Sequence, residues 1–499
     1  MLAPLFDSFA AVLQPMVLAW VLLGVALGVV FGAIPGLGGG MLMALMLPAT
    51  FAMPDVLAQG FLIGIYVGGV SGGLISGILL GVPGAPSAIM TTIDGSAMAR
   101  KGLAARALSI GIMASLVGGL LSWLVLVALA IPLASVATKL QNFDYFTFVM
   151  LGIVLIAFLA ASNPIKALMA GFFGIFISTV GFDDISASER FTFGSSFLSS
   201  GFDILPVLLG AFAMRSVMTD LANPSKMQSQ ASVTIREVLS EMGRAFKYPG
   251  NLLRSSLVGS FIGLLPGIGS NIGAVMSYTA AQATAKRPEE FGSGSEEAIV
   301  ASEAGNNATV GGALIPMIAL GIPGSAQDVI LMAALILHAI TPGPLLVNEH
   351  PDIFYGVITS YAVANIFMFL VMVLSLNIMA KVIKTPPSIL APVVLLFCVV
   401  GVISAHNRID DAWVMFGFGL LGFFMASMRI PLAPFVIGFV LGPLAEGRLR
   451  SALMSSGGDI LPLVTRPVSA LLILCCVLVM LWPFVSHRLR KRRLEQRAG

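Results

Sequence analysis

Charge is scarce in this chain. Lys, Arg, Asp and Glu make up only 10% of its 499 residues, too few for a solvated globular surface or a charged disordered segment. Histidine and cysteine are also scarce, at four and three, and none stand at metal-ligand spacing. No Walker-type phosphate loop or HExxH occurs, so neither of these motifs points to an enzyme. Cys398, Cys475 and Cys476 lie inside apolar runs, and the adjacent pair cannot readily close an ordinary disulfide, so all three read as packing residues. No Lys or Arg precedes Arg100, which leaves no basic n-region for a cleavable signal; the first apolar run is expected to remain as a helix. The net charge of +3 gives no footprint for nucleic acid.

Hydrophobic residues are abundant, at 57% of the chain, with a mean hydropathy of +0.98. Uncharged runs such as 107–137, 353–380 and 467–485 are long enough to cross a hydrocarbon core of about 30 Å as helices. The expected fold is an all-α polytopic membrane protein. Its 54 glycines and 28 prolines are dispersed through apolar segments, where they punctuate helices rather than form a linker.

Four of these punctuations are copies. GAIPGLGGG (32–40) and LLGVPGAPS (79–87) in the first half return as GLLPGIGSN (263–271) and ALGIPGSAQ (319–327) in the second. The offsets are 266 − 35 = 231 and 323 − 83 = 240, and a later echo, SSGFDILP against SSGGDILP, gives 462 − 206 = 256. Offsets that grow steadily are what one duplication followed by small insertions leaves behind.

Basic residues orient the copies. The loop 51–59 after the first breaker carries none, whereas its counterpart carries Lys286 and Arg287; after the second breaker, Arg100, Lys101 and Arg106 stand against none in 341–352. The repeats therefore face opposite sides of the membrane. The expected divisions are a first repeat over 1–220, a cytoplasmic linker over 221–249, an inverted repeat over 250–485 and a basic cytoplasmic tail over 486–499. Roughly twelve to fifteen spanning or re-entrant segments fit this path. Arg448 and Arg450 fit it poorly, because they fall in a loop placed outside; a re-entrant hairpin over 431–459, or a different crossing count, is the alternative.

Inverted repeats suit alternating access, and proline-glycine breaks supply its site. Each breaker is expected to end a helix at membrane depth and to leave free amides at the start of the next. Helix N-termini favour anions by about 0.3–2 kcal/mol each, which matters where no Lys or Arg is at hand. The candidate substrate residues are Pro35, Gly36, Gly38, Pro83, Gly84, Ser87, Pro266, Gly267, Gly269, Asn271, Pro323, Gly324 and Ser325, with simple helix kinks as the blander reading. Ser87 and Ser325 either donate hydroxyls to a carboxylate or bond their own backbone. Glu303, Asn306 and Asn307 share one helical face and are the candidate cation-coupling group, for Na⁺ or H⁺; the alternative is a solvated helix end beside Glu296 and Glu297.

Other polar residues are expected to be structural. Asp94 has two readings, a cation ligand or a surface partner of Arg100 or Lys101, with the pairing preferred. Asp203 and Asp459 are expected to cap the helices that open at Ile-Leu-Pro. His338 is expected to be hydrogen-bonded locally, and Tyr66 lines a path or packs. Asp94 with Asp328 is the one conceivable carboxylate pair for an intramembrane enzyme; a passive anion channel is the other alternative to a transporter.

Several long strings resemble a known family. IPGLG with the following LPATF, the stretch from Tyr66 through GGLISGILLGVPGAPSA to DGSAMARKG, and SEAGNNATVGGALIPMIALGIPGSA with HAITPGPLL are similar to the large permease subunit of tripartite tricarboxylate transporters, over nearly the whole chain. The resemblance implies a multi-pass protein of the bacterial inner membrane that works with a small membrane subunit and a periplasmic solute-binding protein. It also implies import of an organic carboxylate on an ion gradient, with no other cofactor. The chain departs from that family's pattern at Gly39, Leu74, Gly81, Ser96 and Ala97, which removes polar groups near the first-half breakers. At Asp328 it adds a carboxylate.

Overall fold

Helices buried on every side have no face to give to water, and two such helices form the core of the larger unit. The computed structural model describes residues 2–34, 37–155, 163–183, 186, 188–215, 217–218, 233–265, 269–382, 387–406 and 408–481. The first central helix is α4 of the series α1 (Leu2–Val12), α2 (Pro15–Ala33), α3 (Gly38–Thr50), α4 (Asp55–Leu80), α5 (Ile89–Arg100) and α6 (Ala104–Ala137). After α7 (Asn142–Leu155), α8 (Pro164–Ser178), α9 (Ile204–Met214) and α10 (Ile235–Glu241), the series returns. Its copies are α11 (Pro249–Leu264), α12 (Gly269–Thr284), α13 (Glu296–Leu320), α14 (Ala326–Leu337) and α15 (Pro351–Val382). The chain closes with α16 (Pro387–His406), α17 (Asp410–Ser427), α18 (Leu432–Ser455) and α19 (Pro467–Leu481). Every residue of α4 from Ala58 to Leu79 and of α13 from Ala298 to Leu320 is buried.

The fold is all-α and polytopic. Among the described residues, α2, α4, α6, the Pro351–Leu376 part of α15, and α18 are long and apolar enough to cross a membrane. A two-residue antiparallel strand pair, with Gly181 opposite Arg190 and Phe182 opposite Glu189, interrupts the helices.

The described chain forms two compact units, and each draws on both halves of the sequence: one holds Met1–Thr138, Asp203–Leu265 and Gly269–Phe424, the other Lys139–Phe202 and the chain from Met425 onward. In the second unit α18 packs on α7 and α8. It is one continuous helix, which corrects the re-entrant alternative for 431–459. Its awkward arginines have partners: Arg450 reaches Asp183 at 2.6 Å and Glu446 at 3.1 Å, and Glu446 also holds Arg190 at 2.7 Å. Arg448 bonds Asn142 and lies 4.7 Å over the Tyr145 ring.

Both predicted caps form. Asp203 accepts from Leu205 N at 3.1 Å and Asp459 from Leu461 N at 2.8 Å, 256 residues apart (459 − 203) like the motif itself. Cys398 is buried, Cys475 and Cys476 are half-buried, and all three are free. The basic tail 486–499 and residues 221–232 of the linker lie outside the described residues.

Candidate substrate and ion site

The breakers do different jobs in turn. Gly24, Gly28 and Gly32 of α2 face Phe61, Ile65 and Gly69 of α4, so the two helices run parallel. Gly39 of α3 then returns to Gly69, so α2 and α3 form a hairpin whose tip sits halfway along α4. The second breaker doubles back. After Gly81, which ends α4 in the left-handed conformation at φ 70°, the chain regains the level of Gly73, where Ala85 and Ala88 pack. From there α5 runs alongside α4, with Thr92 at Gly77 and Ser96 at Gly81.

The second half repeats the path. Gly259 and Gly263 of α11 face Gly305 and Thr309, and Gly273 and Ser277 of α12 come back along the same stretch of α13. Gly321 ends α13 at φ 70°, and Gly324 returns to Ala313. Gly38 and Gly269, which open α3 and α12, share φ 68° and 71°. Subtraction gives 269 − 38 = 231 and 321 − 81 = 240, the offsets of the sequence repeat. α4 and α13 run antiparallel, since Ser71 meets Asn307 while Tyr66 meets Ser325 beyond the end of α13.

The tips therefore converge. A Cβ on Gly84 would collide with the Gly32 carbonyl oxygen, and one on Gly324 would lie 2.9 Å from the Gly263 oxygen. Gly269 N donates to Gly324 O at 3.1 Å. Across the halves, Gly40 faces the Gln327 side chain, and α12 lies against the Pro86–Ala88 turn. Gly38, Gly84, Ser87, Gly269, Gly324 and Ser325 are thus gathered around the midpoints of α4 and α13, with Pro83 and Pro323 beside them. Ser325 is the N-cap of α14, accepting from Asp328 N at 3.2 Å, and its hydroxyl also meets Tyr66 at 2.8 Å. Asn271 is exposed on the first turn of α12. Pro35, Gly36, Pro266 and Gly267 lie outside the described residues.

Glu303, Asn306 and Asn307 do share one face, and all three are buried, which removes the solvated-end alternative. Thr91 of α5 and Ser115 of α6 donate to the Glu303 carboxylate, at 2.5 and 2.9 Å. Asn307 Nδ2 reaches it at 3.5 Å, while Asn307 Oδ1 accepts from Ser71 of α4. Tyr361 of α15 donates to the Asn307 carbonyl at 3.1 Å and meets Ser122 of α6 at 2.8 Å. Asn306 Nδ2 reaches Val70 O at 3.5 Å, and its Oδ1 has no partner. One acidic group is thereby tied to four neighbouring helices, with one buried oxygen, Asn306 Oδ1, left without a donor.

Asp94 does not pair with Arg100 or Lys101. Its carboxylate accepts from Gly292 N, Gly294 N and Ser295 N at 2.8–2.9 Å and from the Tyr278 hydroxyl at 2.9 Å. The turn that leads into α13 is a nest of amides fit for an anion, and here the protein supplies the anion. Lys101 bonds Ser293 O instead, at 2.7 Å. Arg106 and Arg244 hold Glu296 at 3.6 and 3.3 Å, which collects basic residues of the first half and of the linker at this end. At the other end His338 Nδ1 meets Asp55 Oδ1 at 2.7 Å, a contact across the halves rather than a local one. Asp94 and Asp328 are not a catalytic pair. Ser295, at Asp94, and Ala313, at the breaker before Asp328, stand on α13 on the order of 25 Å apart.

The sequence reading missed Ser71, Thr91, Ser115, Ser122, Tyr278 and Tyr361. Two signals pointed to some of them: Thr91 and Asp94 share a face of α5, and Ser115 and Ser122 recur seven apart within the uncharged stretch of α6.

Residues 18–437 match the tripartite tricarboxylate transporter TctA family. The chain belongs to that family. It is also 34% identical over 492 residues to an "uncharacterized 52.8 kDa protein in TAR-I ttuC' 3'region" of Agrobacterium vitis, covering 98% of each chain. A second Agrobacterium vitis protein, named for the TAR-II ttuC' 3'region, is 34% identical over 233 residues, 46% of this chain and 96% of its own. A TctA-family chain is a multi-pass membrane component of a transporter.

Proposed function

We propose that this chain is the large permease subunit of a tripartite, gradient-driven importer of an organic carboxylate. The reading is carried by one observation: two hairpins and two doubled-back helices of opposite direction bring four helix starts to the midpoints of α4 and α13. Amide groups there would receive a carboxylate without any Lys or Arg. A periplasmic binding protein would deliver the acid, a small membrane subunit would complete the assembly, and the bacterial inner membrane would house it. Na⁺ or H⁺ held at Glu303, Asn306 and Asn307 would make substrate binding and inward movement favourable together.

The test is uptake of a panel of radiolabelled organic acids by vesicles holding this chain, its small subunit and a candidate binding protein, with and without Na⁺ and proton gradients. Saturable uptake that needs the binding protein and one gradient is expected. In the same assay Asn307→Ala is expected to reduce uptake while the protein stays folded. Absence of uptake of every acid by a folded assembly would reject the reading, and flux indifferent to gradients would favour a channel.

A further inference from the structure

Asp328 stands on the first turn of α14, immediately after the fourth breaker, and is 0% exposed. Neither carboxylate oxygen makes a hydrogen bond of ordinary geometry, and the nearest donors, the Tyr66 and Ser325 hydroxyls and the Ser325 and Gly324 amides, are all neutral. The elements packed against α14 are α3, α4, α9 and α13. α3 and α9 carry no titratable side chain, α13 carries none from Ala304 onward, and α4 contributes Tyr66 near Asp328 and Asp55 at its far end. On α14's own side the one other titratable group is His338, at the opposite end of the helix, where it meets Asp55. Among the described residues, no cation faces Asp328.

An ionised carboxylate without a counter-charge costs several kcal/mol when buried. The group is therefore carried neutral or with a bound cation. A hard metal ion wants roughly six oxygens around it, whereas two hydroxyls adjoin this carboxyl, those of Tyr66 and Ser325, and they already bond each other. A proton asks for one oxygen.

We propose that Asp328 is a proton-binding site of this chain, one that must be filled before the start of α14 can receive a substrate carboxylate. The reason is electrostatic. The positive end of α14 serves one anion: while Asp328 is ionised it occupies that field itself and repels a second carboxylate, and once protonated it leaves the field free. Substrate binding and proton uptake at Asp328 then strengthen each other by the same factor, and loss of the proton expels the substrate. Glu303 differs, because Thr91, Ser115 and Asn307 already donate to its oxygens. The coupling to substrate rests on the proposed carboxylate transport; the protonation itself does not.

Infrared spectra of the purified full-length protein in lipid nanodiscs, taken at neutral pH in K⁺ and in Na⁺, read the proton directly. The wild-type protein is expected to show a protonated-carboxyl band that Asp328→Asn loses and that Glu303→Gln retains. A band unchanged in Asp328→Asn overturns the proposal. So does a band abolished by exchanging K⁺ for Na⁺, which would assign the site to a metal cation. Should Asp328→Asn fail to insert, Tyr66→Phe gives a second reading: removal of the adjacent hydroxyl is expected to shift the band, and an indifferent band overturns the assignment. These spectra stand whether or not the uptake assay succeeds, so the two readings fail separately.

Discussion

The same joint is built twice in the larger unit, once at each end, and the two versions differ in strength. At one end the tail of α5 meets the start of α13; at the other the tail of α14 meets the start of α4. Ser295 and Asp55 occupy equivalent places, since 295 − 55 = 240, the offset of the repeat. In the first joint a fully buried Asp94 accepts three backbone N–H groups and a tyrosine hydroxyl. In the second, one bond joins His338 to an Asp55 whose side chain is 49% exposed. Duplication supplied the geometry, and later substitution supplied unequal fastening. The His338 end is accordingly expected to release first.

Substitutions can test that ranking. The largest effect belongs where the two paths are alike, at the breaker tips midway between the joints: Gly84→Ala drives a methyl into the Gly32 carbonyl. It is expected to cost at least about 3 kcal/mol, read as loss of folded protein or of the thermal transition in detergent, with Gly324→Ala milder. A Gly84→Ala protein of wild-type stability would remove the close approach of the tips. Next comes the strong joint. Asp94→Asn places an amide against three N–H donors and is expected to cost about 2–4 kcal/mol. It should also raise labelling of a cysteine introduced at Ser293. The smallest effect is at the weak joint, where Asp55→Asn is expected to cost under about 1 kcal/mol in the same melt. Equal losses from Asp94→Asn and Asp55→Asn would erase the ranking.

Much of this was legible because its chemistry is local. The breakers, their offsets and the caps at Asp203 and Asp459 depend on a few neighbouring residues. Proline and glycine write such positions plainly. The polar face of Glu303, Asn306 and Asn307 was legible for the same reason, as a matter of helical spacing. Partners distant in the chain were not. Asp94 was assigned to basic neighbours six and seven residues away, whereas its real partners begin at Tyr278, because a turn of backbone amides has no side-chain signature. Arg448 looked misplaced for want of Asn142 and Tyr145, and Arg450 for want of Asp183. Whether a broken helix crosses or returns was also unreadable, since it depends on Gly39 meeting Gly69, a contact made by residues without side chains.

The burial of α13 bears on how the protein is made. With Glu303, Asn306 and Asn307 at its middle, α13 is absent from the helices apolar enough to span a membrane by themselves, and polar groups at that depth oppose insertion of an isolated helix. The groups that satisfy them, Ser71, Thr91 and Ser115, belong to helices synthesised earlier. The second half thus has to enter the bilayer against a first half already in place, and order of synthesis becomes a condition for building the site.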